Sequence, residues 1–249
     1  VNESQEFFAS VDGNIRFGLL AVKGLGKGAV RSIITERTNG GKFTSLYDFC
    51  KRLSGKDVNK KAVENLIKSG AFDNLTANRK QMILSFNNII DAIESSKKSN
   101  IEGQIGFFDI HKEDEDNNSA LDLPKVDEFE LFELLTMEKE ATGMYISGHP
   151  MSKYNELIKE RNYSRISDIF SHNVKNNDSV KILAIISSVK IKSTKTNSMM
   201  AFVDIEDTSG HVEVIVFPKA FDRFSSFLQE GTIVVFGVRV SFLDEDEIR

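Results

Sequence analysis

Leu19-Leu20-Ala21-Val22-Lys23-Gly24-Leu25-Gly26-Lys27-Gly28-Ala29-Val30 decides the reading of this chain. A short apolar helix, a glycine hairpin and a second helix opened by Lys27 follow one another within it. Gly24 and Gly26 can take backbone angles closed to other residues and bring bare N–H groups to the surface. The helix start adds unpaired N–H groups and a positive dipole end. Lys23, Lys27 and Arg31 flank the spot. A helix-hairpin-helix needs these features to hold a nucleic-acid backbone phosphate without reading bases. The same glycines also suit a helix–helix turn with no ligand.

Other glycine loops fail on the residues. A nucleotide-binding P-loop ends in Gly-Lys-Ser/Thr, whereas here Ala29 follows Gly28 and offers no hydroxyl. A dinucleotide fingerprint places its third glycine three positions after the second, but Gly28 stands only two after Gly26.

Composition narrows the classes further. A chain of 249 residues holds two or three small domains. No stretch has the length of a membrane span and no signal-peptide pattern opens the chain, so a cytoplasmic protein with no membrane partner is expected. Cys50 is the single cysteine, which excludes a disulfide framework and a thiolate metal cluster. His111, His149, His172 and His211 lack ligand spacing and read as surface or capping residues, so no metal ligand is assigned. Val1 is not an initiator and Arg249 stops near a strand or turn; the chain reads as part of something longer.

The net charge of −5 hides an asymmetry. Residues 16–80 carry 14 Lys/Arg against 5 Asp/Glu, and residues 102–140 carry 3 against 13. The basic block is where an electrostatic footprint for nucleic acid belongs.

Apolar periodicity predicts a helix around Leu46, Phe49 and Leu53. A second is capped by Asn59 with Ala62, Val63, Leu66 and Ile67 on one face, and a long third runs from about Thr76 to Ser95. Gly70 is the expected C-cap of the second. The two helix pairs form a tandem arrangement whose second hairpin, 69–75, is degenerate. Residues 96–127 read as an acidic linker interrupted by Gln104-Ile105-Gly106-Phe107-Phe108. Such an apolar island either docks in a partner's groove or folds back on this protein's own helices. Glu128 to Ala141 reads as a helix ended by Gly143, within a connector spanning 128–178.

From Ser179 the period changes to two. Strands are expected at 180–190, 199–206, 212–217 and 232–242, with a helix at 219–228 between the last two. This order matches an oligonucleotide-binding (OB) β-barrel over 179–249, its fifth strand near or beyond Arg249. Lys190, Lys192 and Lys195 on the first hairpin, with Phe202 opposite, are weak candidates for holding a single strand, and Phe202 equally suits a core. The fold class is therefore multidomain, α then β: a helix-hairpin-helix domain, a linker and an OB barrel.

Several motifs together resemble the bacterial replicative DNA polymerase III alpha subunits. They are Ile15–Leu19, Lys23–Gly26, Ser45–Cys50, Asn59–Lys61, Leu66–Asp73, Glu138–Glu140, Ser147-Gly148-His149-Pro150, Met200–Val203 and Glu206-Asp207. The resemblance covers essentially the whole chain and begins just after that family's fingers domain, whose end falls with the hairpin domain in 1–95. It implies duplex gripping through Lys23, Gly24, Gly26, Lys27, Gly28 and Arg31. It implies a sliding-clamp motif at Gln104, Ile105, Phe107 and Phe108, with Phe107 departing from the usual Leu or Met. It also implies a barrel near single-stranded template, partnership with other replisome subunits and work at the nucleoid. The family's Mg2+-dependent polymerase carboxylates lie upstream of Val1, so no catalytic residue is assigned; Asp204, Glu206 and Asp207 read as a strand end and acidic turn. The rival readings are a non-catalytic nucleic-acid adaptor and a nuclease accessory region carrying the same two modules.

Overall fold

Side-chain caps set the helices of the first half. Ser45 accepts the Asp48 N–H at 3.1 Å to open α2 (Leu46–Leu53), and Asn59 accepts that of Ala62 at 2.8 Å to open α3 (Lys60–Lys68). Asn78 and Gln81 cap each other reciprocally at 2.8 and 3.0 Å, which opens α4 (Arg79–Ile101) at Arg79 rather than at Thr76. The computed structural model describes residues 1–101, 123–171, 173–244 and 247–248. It divides the chain into two units, Val1–Ser147 and Gly148–Arg249.

The first unit begins with a hairpin, β1 (Ala9–Val11) and β2 (Asn14–Arg16), that the pattern reading does not anticipate. Its signal is nonetheless local: Asp12 and Gly13 both take positive φ, 51° and 78°, as a two-residue hairpin turn requires. A 3-10 turn (Leu19–Ala21), α1 (Lys27–Gly40), α2, α3, α4 and α5 (Leu131–Thr142) follow. The predicted stripes meet in one core. Ile33, Phe43, Phe49, Leu66, Ile67, Phe72 and Met82 are fully buried, and Phe49 stacks edge-on with both Phe43 and Phe72 at 4.9 Å. Cys50 belongs to this core, and burial pushes its thiol up to about 12, so it is unreactive.

Three expected boundaries move. Helix α4 continues to Ile101, into the stretch read as linker, where Lys97 Nζ donates to the Ser54 carbonyl at 2.9 Å. Helix α5 starts at Leu131, its N-cap Glu130 donating its N–H to the Glu133 carboxylate at 3.1 Å. The expected connector 128–178 is shared between the units, α5 packing with the first.

The second unit contains α6 (Asn155–Glu160), α7 (Ile166–Phe170) and a four-stranded antiparallel sheet in the order β5-β4-β3-β6. Long β3 (Ser179–Ser193) pairs through its first half with β6 (Ile233–Arg239) and through its second with β4 (Met199–Asp207). A bulge between Ile186 and Ser188 separates the two halves, bending the strand as OB sheets require. Strand β5 (Gly210–Val216) lies outside β4, and α8 (Pro218–Phe224) leads on toward β6. Ile182, Ala184, Ile186, Ala201, Val203 and Ile205 alternate onto one face over Ile166 and Ile169 of α7. The strands, helix and last strand thus follow the expected OB order. Among the described residues the sheet does not close into a barrel; β7 (Phe242–Asp244) and β8 (Glu247–Ile248) form a separate pair.

Candidate nucleic-acid interface

The first hairpin sorts its residues by side. Val22, Leu25, Ala29 and Val30 are buried, whereas Lys23, Gly24, Gly26, Lys27, Gly28 and Arg31 are all exposed. The six predicted residues therefore share one surface loop, anchored from beneath by its apolar neighbours. The loop is pinned on both sides: Lys23 N–H donates to the Ala141 carbonyl at 2.7 Å, and buried Asn65 donates through Nδ2 to the Lys23 carbonyl at 2.6 Å. Gly24 sits at φ +80°, so a side chain there is strained.

Gly26 plays a different part from the one expected of it. Its φ of −79° is open to any residue; it is the N-cap of α1, and it contributes no capping side chain. The first turn of α1 also holds no acidic residue, so the helix presents its N–H groups uncapped by its own side chains. Gly28 serves by close approach, since a Cβ there would stand 2.5 Å from Asp57 Oδ2.

Ion pairing engages much of the basic block. Arg16 pairs with Glu3, Arg52 and Lys56 with Glu36, Lys60 with Asp91, Lys61 and Lys68 with Glu64, and Arg79 with Asp73 and Glu138. Lys23, Lys27 and Arg31 enter none of the ion pairs among the described residues, so their charge remains directed to solvent. Arg37, Lys51 and Lys80 of the basic block likewise enter no ion pair among the described residues; Lys51 and Lys80 lie over the Tyr47 and Phe129 rings, and Arg37 donates to the Val1 carbonyl at 2.6 Å.

The second hairpin, between α3 and α4, is filled from within. The Arg79 guanidinium lies over Gly70, donating to both Asp73 oxygens at 2.8 and 2.6 Å and to Glu138 Oε1 at 3.0 Å. Glu138 is fully buried and also accepts from the N–H groups of Ile146 and Ser147 and from the Ser147 hydroxyl. Burial pushes its carboxyl up, but the Ser147, Ile146 and Arg79 donors outweigh that and hold it below the ordinary range. The first N–H groups of α4 are occupied as well: those of Arg79 and Lys80 donate to the Glu128 carboxylate at 2.8 and 3.0 Å. Asn78 and Gln81 hold the carbonyls of Val126 and Pro124, fixing the strap that carries Glu128.

Neither Glu128 nor the Arg79–Glu138 pair is assigned a role by the sequence reading. A signal existed for the pair: Leu135, Glu138 and Ala141 recur at helical spacing, placing a carboxylate on the buried face of α5.

On the sheet, the register resolves Phe202. Its neighbours Ala201 and Val203 point into the core, while Phe202 is half-buried on the opposite, outer face. Lys190 is its cross-strand partner, and the Lys192 ammonium lies 4.9 Å from its ring. Lys195 is exposed in the hairpin tip, where Asn197 adopts a left-handed φ of 58°. The reading missed Ile215, which pairs with Phe202 across β4–β5, and Phe217, which is 64% exposed just past β5.

The acidic strand end is structural. Asp207 accepts from Ser209 and Gly210 N–H with one oxygen and from Ile166 N–H with the other. Asp204 holds the Ser188 hydroxyl at 2.5 Å. Among the described residues no group of three or more His, Cys, Asp or Glu side chains could hold a metal ion. His149 caps a 3-10 segment (Pro150–Tyr154) through Nδ1. Gln104, Ile105, Phe107 and Phe108 lie outside the described residues. No helix among the described residues is long and apolar enough to cross a membrane.

A surface hairpin with free cations beside an uncapped helix start, followed by an OB-type sheet, defines a nucleic-acid-binding class of protein. Residues 1–82 match the family model described as a helix-hairpin-helix motif, and 180–248 match that of the OB-fold nucleic acid binding domain. The DNA polymerase III subunit alpha of Borreliella burgdorferi is 34% identical over 97% of this chain. Those of Mycobacterium tuberculosis and Deinococcus radiodurans are 32% and 37% identical over 98% and 93% of it. Nearly the whole chain is therefore homologous to part of the DNA polymerase III alpha subunits. It spans 21%, 21% and 18% of the length of these three relatives.

Proposed function

We propose that this chain is the duplex-gripping and clamp-tethering part of a replicative DNA-directed DNA polymerase. The observation that carries the grip is the set of three unpaired cations, Lys23, Lys27 and Arg31, around the uncapped start of α1. Phosphate oxygens suit both the N–H groups and the cations, and neither reads base sequence. The outer sheet face around Lys190, Lys192 and Phe202 takes single-stranded DNA. Gln104 to Phe108 reaches the bacterial sliding clamp, and a tether of this kind keeps a polymerase at roughly millimolar local concentration near its primer end. The residues described here supply binding; nucleotidyl transfer and its Mg2+ would belong to other parts of such a polymerase, working at the nucleoid with other replisome subunits.

Duplex affinity measured across a salt series tests the grip. Lys23→Glu with Lys27→Glu is expected to weaken binding at least tenfold at low salt and to flatten the salt slope by about two. An unchanged affinity makes the hairpin a structural turn. Phe107→Ala with Phe108→Ala is expected to abolish clamp binding and leave duplex affinity unaltered; clamp binding that survives the double substitution removes the tether from Gln104–Phe108.

A further inference from the structure

The strand register indicates how long a single strand the outer sheet face can take, an inference that rests on the single-strand reading above. Pairing places side chains on that face in rows. One row runs Lys190–Phe202–Ile215, and the next toward the β3–β4 hairpin runs Lys192–Met200. Extended backbone at Phe217 continues the alternation of β5, which brings Phe217 alongside Met200 on the same face. The opposite direction changes character at once. The following rows are Ser188–Asp204–Glu213 and Ile185–Glu206–His211, which put three carboxylates beside the platform. Farther along β3, Leu183 and Ile185 are buried and the 3-10 segment Pro150–Tyr154 packs against the strand.

The apolar and cationic platform is thus two rows deep and three strands wide, ~7 Å by ~10 Å. Beyond it a phosphate meets Asp204, Glu206 and Glu213. We infer that this face accepts a short single strand of about three nucleotides, below the ~4 or more usual for an OB fold, laid across β3, β4 and β5. Phe202 and Phe217 lie beneath the bases, Lys192 meets the phosphates, and Lys190, ion-paired with Asp204 at 3.5 Å, marks the edge where the acidic rows end the run.

Residue-resolved NMR titration of the full chain with a thymidine trinucleotide and octanucleotide tests this, because sheet and hairpin resonances report separately. At the sheet the two oligonucleotides are expected to bind with affinities within about threefold, and Phe217→Ala to weaken both about fivefold or more. Glu206→Gln with Glu213→Gln is expected to strengthen octanucleotide binding several-fold while leaving the trinucleotide unchanged. An octanucleotide that binds the parent more than tenfold tighter, or a Phe217→Ala variant equal to the parent, overturns the short footprint. Sheet resonances unmoved by either oligonucleotide overturn the single-strand reading itself, and the footprint with it.

Discussion

The two hairpins of the first unit are built from the same parts and end in opposite states. Each joins two helices through a glycine of positive φ, Gly24 at +80° and Gly70 at +76°. In the first, the following helix starts without a side-chain cap and its cations face solvent. In the second, Glu128 takes the first N–H groups of the helix, and Arg79 is locked between Asp73 and buried Glu138. One hairpin spends its polar groups on the fold, while the other leaves its cations exposed and its following helix without a side-chain cap. The number of glycines and lysines does not distinguish them; the partners of those groups do.

The largest effect is expected from Glu138→Ala, which removes one of the Arg79 guanidinium's two carboxylate partners and the acceptor of three further donors. Loss of one partner of a buried pair costs about 3–5 kcal/mol, read as a lower midpoint in denaturant. The same carboxylate has a sign in pH. Its lowered pKa means that its contribution is present above the unfolded carboxyl value of about 4.3 and is lost as pH falls through the lower folded value. An acid titration of stability should therefore lose a component in Glu138→Ala; identical acid limbs in the two proteins would contradict the assignment.

Glu128→Ala is milder, at about 1 kcal/mol, because it removes one cap and its favourable dipole contact from α4. It also frees N–H groups at the second hairpin, and a gain of about twofold in duplex affinity is expected. Equal affinity would show that something other than Glu128 distinguishes the two hairpins. The smallest change is Gly26→Ser, the reverse experiment. A serine cap should raise stability by a few tenths of a kcal/mol while competing with phosphate for the same N–H groups, so thermal midpoint and duplex affinity should move in opposite directions.

Much of this architecture was legible because it rests on local rules. Ser45 and Asn59 act as caps by virtue of short polar side chains that reach a backbone N–H three residues on, and period-two patterning marked β3 to β6. The hairpin itself was readable because Gly24, Gly26 and the flanking cations are adjacent in the chain. The glycines were less readable individually: Gly24 needs its conformation, Gly26 does not, and Gly28 makes room for a residue 29 positions away. Helix α4 ran past its expected end because polar serines and lysines sustain a helix that already has a buried side.

From its own residues, then, the sequence determined the main helices of the first unit and strands β3 to β6, where the glycine hairpins fall and where positive charge accumulates. Those follow from propensity, capping and periodicity, which act over a few residues. Tertiary structure alone decided which positive charges are neutralised, that the second hairpin is closed and that Phe202, Ile215 and Phe217 share an outer face. Each of those depends on a partner distant in the chain, Glu128 or Glu138 for the hairpin and the β3–β4–β5 register for the sheet. An ion pair or a strand register is a property of proximity in space, and no local pattern specifies it.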